Sequence, residues 1–188
     1  MALTYSSMLD LQTDLINFKL HNVVDNNNFS SSELNTSKPT IIMFICNHCP
    51  YVIHYHDEIK RLALDYLDRF NFVAISSNDI ENYPQDSPEK MKELWYELGL
   101  DFPYLYDESQ EIAKLYKAEC TPEFYLFNLS NKLVYRGRLD ESSPGSESKP
   151  SGEDLRNAME NLLNDNEISK KQYPSMGCNI KWKEFFNR

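Results

Sequence analysis

The sequence predicts one α/β domain on a mixed central sheet, with parallel strands from βαβ units and antiparallel strands from a late hairpin. Three observations carry that expectation. Short apolar runs at 40–45 and 72–77 alternate with amphipathic stretches after Pro50 and Pro88. Two further apolar runs, 124–127 and 133–137, are separated only by the turn from Asn128 to Lys132. A last amphipathic stretch follows a loop rich in Ser, Pro and Gly. Strands joined through helices come out parallel, and strands joined by a tight turn antiparallel.

The elements follow in order. Residues 1–16 show no period and form an N-terminal extension expected to pack loosely on the surface. Asn17 to Val23 alternates as a strand does, Asp25-Asn26-Asn27-Asn28 supplies turn chemistry, and Phe29-Ser30 begins a return strand. Thr40-Ile41-Ile42-Met43-Phe44-Ile45 lacks alternation, which predicts a strand buried on both faces. From Pro50 the apolar positions Val52, Tyr55, Ile59, Leu62 and Tyr66 recur every three or four residues; Asp57, Glu58, Lys60, Arg61, Asp65 and Asp68 fall on the other side. Proline is tolerated in the first turn of a helix, so Pro50 fixes the helix start. Phe72 to Ser77 is the next strand. Ser87-Pro88 opens a helix that Gly99 stops. Phe102 to Tyr106 is a short strand, and Asp107-Glu108-Ser109-Gln110 has the capping-box pattern for a helix to about Lys117. The final helix starts near Ser151, with Leu155, Ala158, Met159, Leu162 and Leu163 as its buried stripe. The predicted domain spans 17–168, and residues 169–188 form a polar tail packing on it. No internal repeat is visible.

Composition excludes several function classes. A chain of 188 residues with 41% hydrophobic and 13% aromatic residues can bury a core and is not disordered. A net charge of −10 argues against nucleic acid or an anionic membrane as partner. No segment approaches the roughly 20 apolar residues of a membrane helix. The first residues lack a basic region and an apolar core, so the sequence predicts a cytoplasmic protein. Four cysteines, Cys46, Cys49, Cys120 and Cys178, are too few for a disulfide scaffold, and in a reducing compartment a close pair points to catalysis or metal binding.

The close pair is Cys46-Asn47-His48-Cys49-Pro50, set where a strand turns directly into a helix. Unpaired N–H groups and the positive dipole end at a helix N-terminus stabilise a thiolate. Cys46 is therefore expected as an exposed attacking thiol, helped by His48 if protonated. Cys49, one turn into the helix, is expected to be more buried and to resolve a mixed disulfide. That role needs two sulfurs within bonding distance and a path for an approaching molecule. His54 and His56 fall on the solvated side by periodicity, and His21 belongs to the hairpin. No histidine spacing argues for a metal.

Strand–Cys-x-x-Cys–helix, Thr121-Pro122 before a strand, and a terminal hairpin plus helix resemble the thioredoxin fold. The leading hairpin and the inserted helix from Pro88 to Leu98 resemble its redoxin branch, which includes peroxiredoxins and membrane-tethered thiol reductases. Phe44 to Val52, Cys120-Thr121-Pro122-Glu123-Phe124, Val134 to Asp140 and Gly177 to Trp182 are similar to a peroxiredoxin-like, thioredoxin-domain group of bacterial proteins. The resemblance implies a cis-proline at Pro122 facing the active-site cysteines and lining the substrate groove. Asn47, His48, Pro50, Cys120, Thr121 and Glu123 then belong to the active-site surroundings. Many thioredoxins carry a buried carboxylate six residues before the first cysteine; here Thr40 stands there, and Glu123 is the candidate replacement base or a solvated strand-end glutamate. Cys120 is a third redox thiol or a small space-filling residue. Cys178 is a free tail thiol or folds back toward the site.

Three functions compete. The leading one is a thiol–disulfide oxidoreductase acting on a disulfide-containing protein or small molecule, regenerated by an external dithiol reductant, with no cofactor. A thiol-dependent peroxidase of antioxidant type is second: peroxiredoxins use Pro-x-x-x-Thr-x-x-Cys, and counting back from Cys46 finds Pro39 but Met43 in place of Thr, while Cys49 finds Ile42 and Cys46. A Cu(I) or other metal-binding module is third, since soft thiolates beside an imidazole suit such ions. Copper carriers of this fold space their cysteines by three residues and place a histidine late in the chain; here the spacing is two, and none follows His56.

Overall fold

The computed structural model describes residues 3–184. Its main sheet has seven strands in the order β3-β2-β6-β5-β4-β8-β9. The strands are β2 (Lys19–Asn22), β3 (Asn28–Ser30), β4 (Thr40–Phe44), β5 (Asn71–Ser76), β6 (Tyr104–Tyr106), β8 (Glu123–Phe127) and β9 (Leu133–Gly137). β4, β5 and β6 run parallel; β2 joins β6, and β8 joins β4, antiparallel. The leading hairpin is thus one edge of the main sheet, and the late hairpin is the other.

Every residue of β4 is buried, because helices cover both faces of the sheet at its centre. Alternation divides its side chains between two apolar layers. Ile41, Met43 and Ile45 face the layer beneath α1 (Pro50–Tyr66), α2 (Pro88–Leu98) and α4 (Glu153–Leu163). Ile42 and Phe44 face the opposite layer, which contains Ile112 and Ala113 of α3 (Glu111–Leu115) with Tyr116 and Tyr125. Burying each such large side chain contributes about 1.5–3 kcal/mol, so this strand is firmly anchored. The chain leaving its end is placed accordingly.

Local sequence accounts for the helix ends. Ser87 caps α2 by accepting the Lys90 N–H, Pro88 follows at the first position, and Gly99 ends the helix at φ +69°, where a side chain is disfavoured. At α3 the predicted capping box does not form. Gln110 precedes the helix in a left-handed conformation, and its side chain instead donates to the carbonyls of Ser77 and Lys181. Asp107 accepts from the Ala113 N–H further along. Glu58, expected on the solvated side of α1, is buried, because Arg61 and Arg156 reach it from either side.

A second, three-stranded sheet was not foreseen. β1 (Leu3–Tyr5) pairs with β10 (Met176–Asn179), which pairs with β7 (Cys120–Thr121), all antiparallel. Leu3–Tyr5, Cys120–Thr121 and Met176–Asn179 are too short and too little alternating to mark themselves as strands. The N-terminal segment is therefore a strand, and the tail lies over the end of β4. Among the described residues, no helix is long and apolar enough to cross a membrane.

Candidate functional site

β4 ends at Phe44, and the Ile45 N–H still bonds the Ile75 carbonyl, so Cys46 leaves the sheet at a defined point. Asn47 and His48 make the turn. Cys49 is the N-cap of α1, extended at φ −72° and ψ 122°, with Pro50 at the first helical position. Both sulfurs converge on Thr121: Cys46 Sγ lies 3.3 Å from Thr121 Oγ1, and Cys49 Sγ lies 3.2 Å from the Thr121 carbonyl oxygen. The Thr121-Pro122 peptide is cis. The strand–turn–helix segment and the Thr121-Pro122 segment thus meet at the sulfurs.

The exposure expected of Cys46 is not observed. Cys46 is 1% and Cys49 0% accessible, and both are free thiols. β10 is the reason on one side: it sets Cys178 opposite Thr121, whose carbonyl the Cys49 sulfur contacts. On the other side lies the segment from Asn78 to Ser87. The shifts of the two thiols run opposite to expectation. The Cys46 thiol is pushed well up, first by the Cys49 thiol beside it, then by burial and the negative charge of Asp86. Cys49 is pulled down, first by the Cys46 thiol, then by donors from Cys178 and the Val52 N–H. The Cys49 thiol donates to the Thr121 carbonyl at 3.2 Å, which favours its protonated form and opposes this shift.

Asp86 organises the turn, and the sequence reading passed over it. It is fully buried. Its Oδ1 accepts the N–H of Asn47 at 2.8 Å and of His48 at 3.2 Å. Its Oδ2 meets His48 Nδ1 at 2.6 Å and accepts from Asn78 Nδ2 at 2.8 Å. The His48 ring stacks on Tyr83, and Tyr104 Oη donates to Asn47 Oδ1. Any positive charge on His48 is therefore answered by Asp86 before it can act on Cys46. In sequence, Asp86 looks like one more polar residue of a Pro- and Ser-containing loop; only the folded chain brings it to the motif.

Glu123 is fully buried, not solvated. It accepts from Tyr125 Oη at 2.7 Å and the Glu119 N–H at 3.2 Å, and Cys120 Sγ lies 4.0 Å away. Burial lifts its carboxyl to about 7. It meets the thiols through Cys120 rather than at the Cys46–Cys49 pair, so it is not placed as a direct base for Cys49. Cys120 is buried as well and pushed far up, first by burial and then by Glu123. His54 donates to or accepts from Ser142 Oγ at 2.9 Å, and His56 is half-buried and lowered by burial; neither is simply solvated.

Cys46, His48 and Asp86 each bring one potential ligand atom within 4.8 Å of the others. The Asp86 oxygens already carry four protein hydrogen bonds, so the donor set is committed to holding the turn.

The Redoxin family matches residues 12–154. The chain belongs to the redoxin family. This redoxin is 49% identical to an uncharacterized conserved protein from Geobacillus kaustophilus, with 97% of each chain covered and a TM-score of 0.94. It is 36% identical to a hypothetical protein from Sinorhizobium meliloti, covering 96% of this chain and 98% of that one, with a TM-score of 0.92. A secreted disulfide oxidoreductase from Mycobacterium tuberculosis aligns at 16% identity over 77% of this chain and 96% of its own, with a TM-score of 0.59. That likeness establishes the thioredoxin-like fold. No curated protein matches the chain.

Proposed function

We propose that this redoxin is a thiol–disulfide oxidoreductase that works through Cys46 and Cys49. The observation that carries the reading is the convergence of both sulfurs on Thr121 at the N-terminus of α1, beside the cis peptide to Pro122. A cleft of about 280 Å³ runs from Pro122, the residue after Thr121, past Tyr55, Arg138 and Asp140 to Met176, and offers a substrate segment a place to lie.

Catalysis requires β10 to lift. Its departure opens Cys46 to water, and Cys46 gives up its proton. Cys46 thiolate attacks one sulfur of a substrate disulfide, and the other substrate sulfur leaves and takes a proton. Cys49 loses its proton and attacks the Cys46 sulfur of the mixed disulfide, releasing the second substrate thiol. The substrate gains two electrons, the protein becomes the Cys46–Cys49 disulfide, and an external dithiol restores it. Disulfide-containing proteins or small molecules are the substrate class.

The test is steady-state reduction of a protein disulfide, with a redox titration read by mass after thiol alkylation. Wild type forms a Cys46–Cys49 disulfide, and Cys46→Ser and Cys49→Ser both lose turnover. Wild-type rates in either variant would end the proposal. A peroxidase reading draws on the Thr121 hydroxyl, 3.3 Å from Cys46 Sγ, although the hydroxyl expected at position 43 is missing. Peroxide consumption matching disulfide reduction would favour it.

A further inference from the structure

Cys178 has no part in the scheme above, yet it is held against the reacting sulfur. Three features fix it there. β10 pairs antiparallel with β7 so that Cys178 stands opposite Thr121 and Asn179 opposite Cys120. The approach is close: a Cβ on Gly177 would fall 2.0 Å from the Thr121 carbonyl oxygen, so only glycine fits. Beyond β10 the chain is tied down, with the Lys181 N–H on Asn78 Oδ1 and the Lys181 carbonyl on the Asp79 N–H and Gln110 Nε2. Asn78 is also a partner of Asp86, so the tail is linked to the group that holds the Cys-x-x-Cys turn. β10 thus takes the edge of β7 by strand addition, as an extended peptide would.

We propose that Cys178 is a third redox thiol, which exchanges with the Cys46–Cys49 disulfide to form a Cys49–Cys178 disulfide and set Cys46 free. The step rests on the oxidoreductase reading, since that reaction supplies the starting disulfide. Cys178 gives up its proton and its sulfur attacks Cys49 Sγ. The S–S bond to Cys46 breaks, and Cys46 leaves as a thiolate and takes up a proton. One disulfide replaces another, so no electrons enter or leave, and an external dithiol then reduces the Cys49–Cys178 bond. Cys178 and Cys49 meet at Thr121, the first by strand register and the second by its contact with the carbonyl, and their sulfurs need to close to about 2.05 Å. Burial pushes the Cys178 thiol up to about 12, so it gives up its proton only as it attacks. Formation of the new bond fastens β10 over the site.

Peptide mass mapping of oxidised, alkylated full-length protein tests this. Wild type poised in a graded thiol–disulfide buffer yields Cys46–Cys49 and Cys49–Cys178 linked peptides. Cys46→Ser keeps a two-thiol couple, now entirely Cys49–Cys178. Cys178→Ser loses that peptide but retains Cys46–Cys49 and its cooperative melting. Gly177→Ala, which pushes β10 off Thr121, also loses it while leaving all four cysteines in place. Absence of any Cys49–Cys178 linkage in Cys46→Ser, with Cys46–Cys49 present in wild type, overturns the third thiol and leaves the oxidoreductase standing. A wild type without Cys46–Cys49 removes both.

Discussion

Asp86 and Glu123 are two carboxylates fully withdrawn from solvent, each beside a cysteine, and the fold treats them differently. Asp86 sits among four donors: two backbone N–H groups, an imidazole nitrogen and a side-chain amide. Glu123 has a tyrosine hydroxyl, one backbone N–H and a distant thiol. Burial penalises charge in both places; the donors offset it to different extents. The first carboxylate can hold a turn together, while the second is left with a carboxyl that titrates near 7. Depth alone is a poor guide to what a buried acid does.

The comparison breaks most readily at Asp86. Asp86→Ala leaves its donors facing an unfilled space, and losing one partner of a buried charged network costs about 3–5 kcal/mol. Chemical denaturation should show that loss, and disulfide reduction should fall with it as Asn47 and His48 lose their anchor. A stability change below about 1 kcal/mol would mean that water replaces the carboxylate.

Glu123 should appear in the pH profile. An unfolded glutamate releases its proton near 4.5 and the folded one near 7. Between those values the native state binds more protons than the unfolded state. Stability therefore falls as pH rises through this window and levels off above it, by about 3 kcal/mol in all. Glu123→Gln should flatten that slope in denaturation curves taken from pH 4 to 8. An unchanged slope would assign it to other groups.

Tyr125→Phe is the smallest of these changes. It removes a 2.7 Å donor to Glu123 and costs about 1 kcal/mol. The charged carboxylate loses support, so the upper end of the window should move above 7. A midpoint that moves down instead would mean that the tyrosine accepts from Glu123 rather than donating to it.

The sequence made the architecture legible where chemistry was local. The unbroken apolar run at 40–45, the proline after Cys49 and the Ser-Pro cap at 87–88 each specify their element through near neighbours. The Thr121-Pro122 pair took its meaning from resemblance alone. Asp86 was hidden because its partners Asn47 and His48 lie 39 and 38 residues away. Burial of the thiols was hidden for a similar reason. β10 and β7 are four and two residues long, and nothing in them marks one as the cover of the other. Glu58 and Gln110 misled because both obeyed a local rule that a distant partner overrode.

The two sheets have separate hydrogen-bond ladders. The ladder above the sulfurs can therefore come apart while the seven strands beneath remain whole. Admission of a reactant becomes a sub-global fluctuation, lower in free energy than unfolding of the domain. Under the proposed function, turnover is then set by how often this short ladder opens.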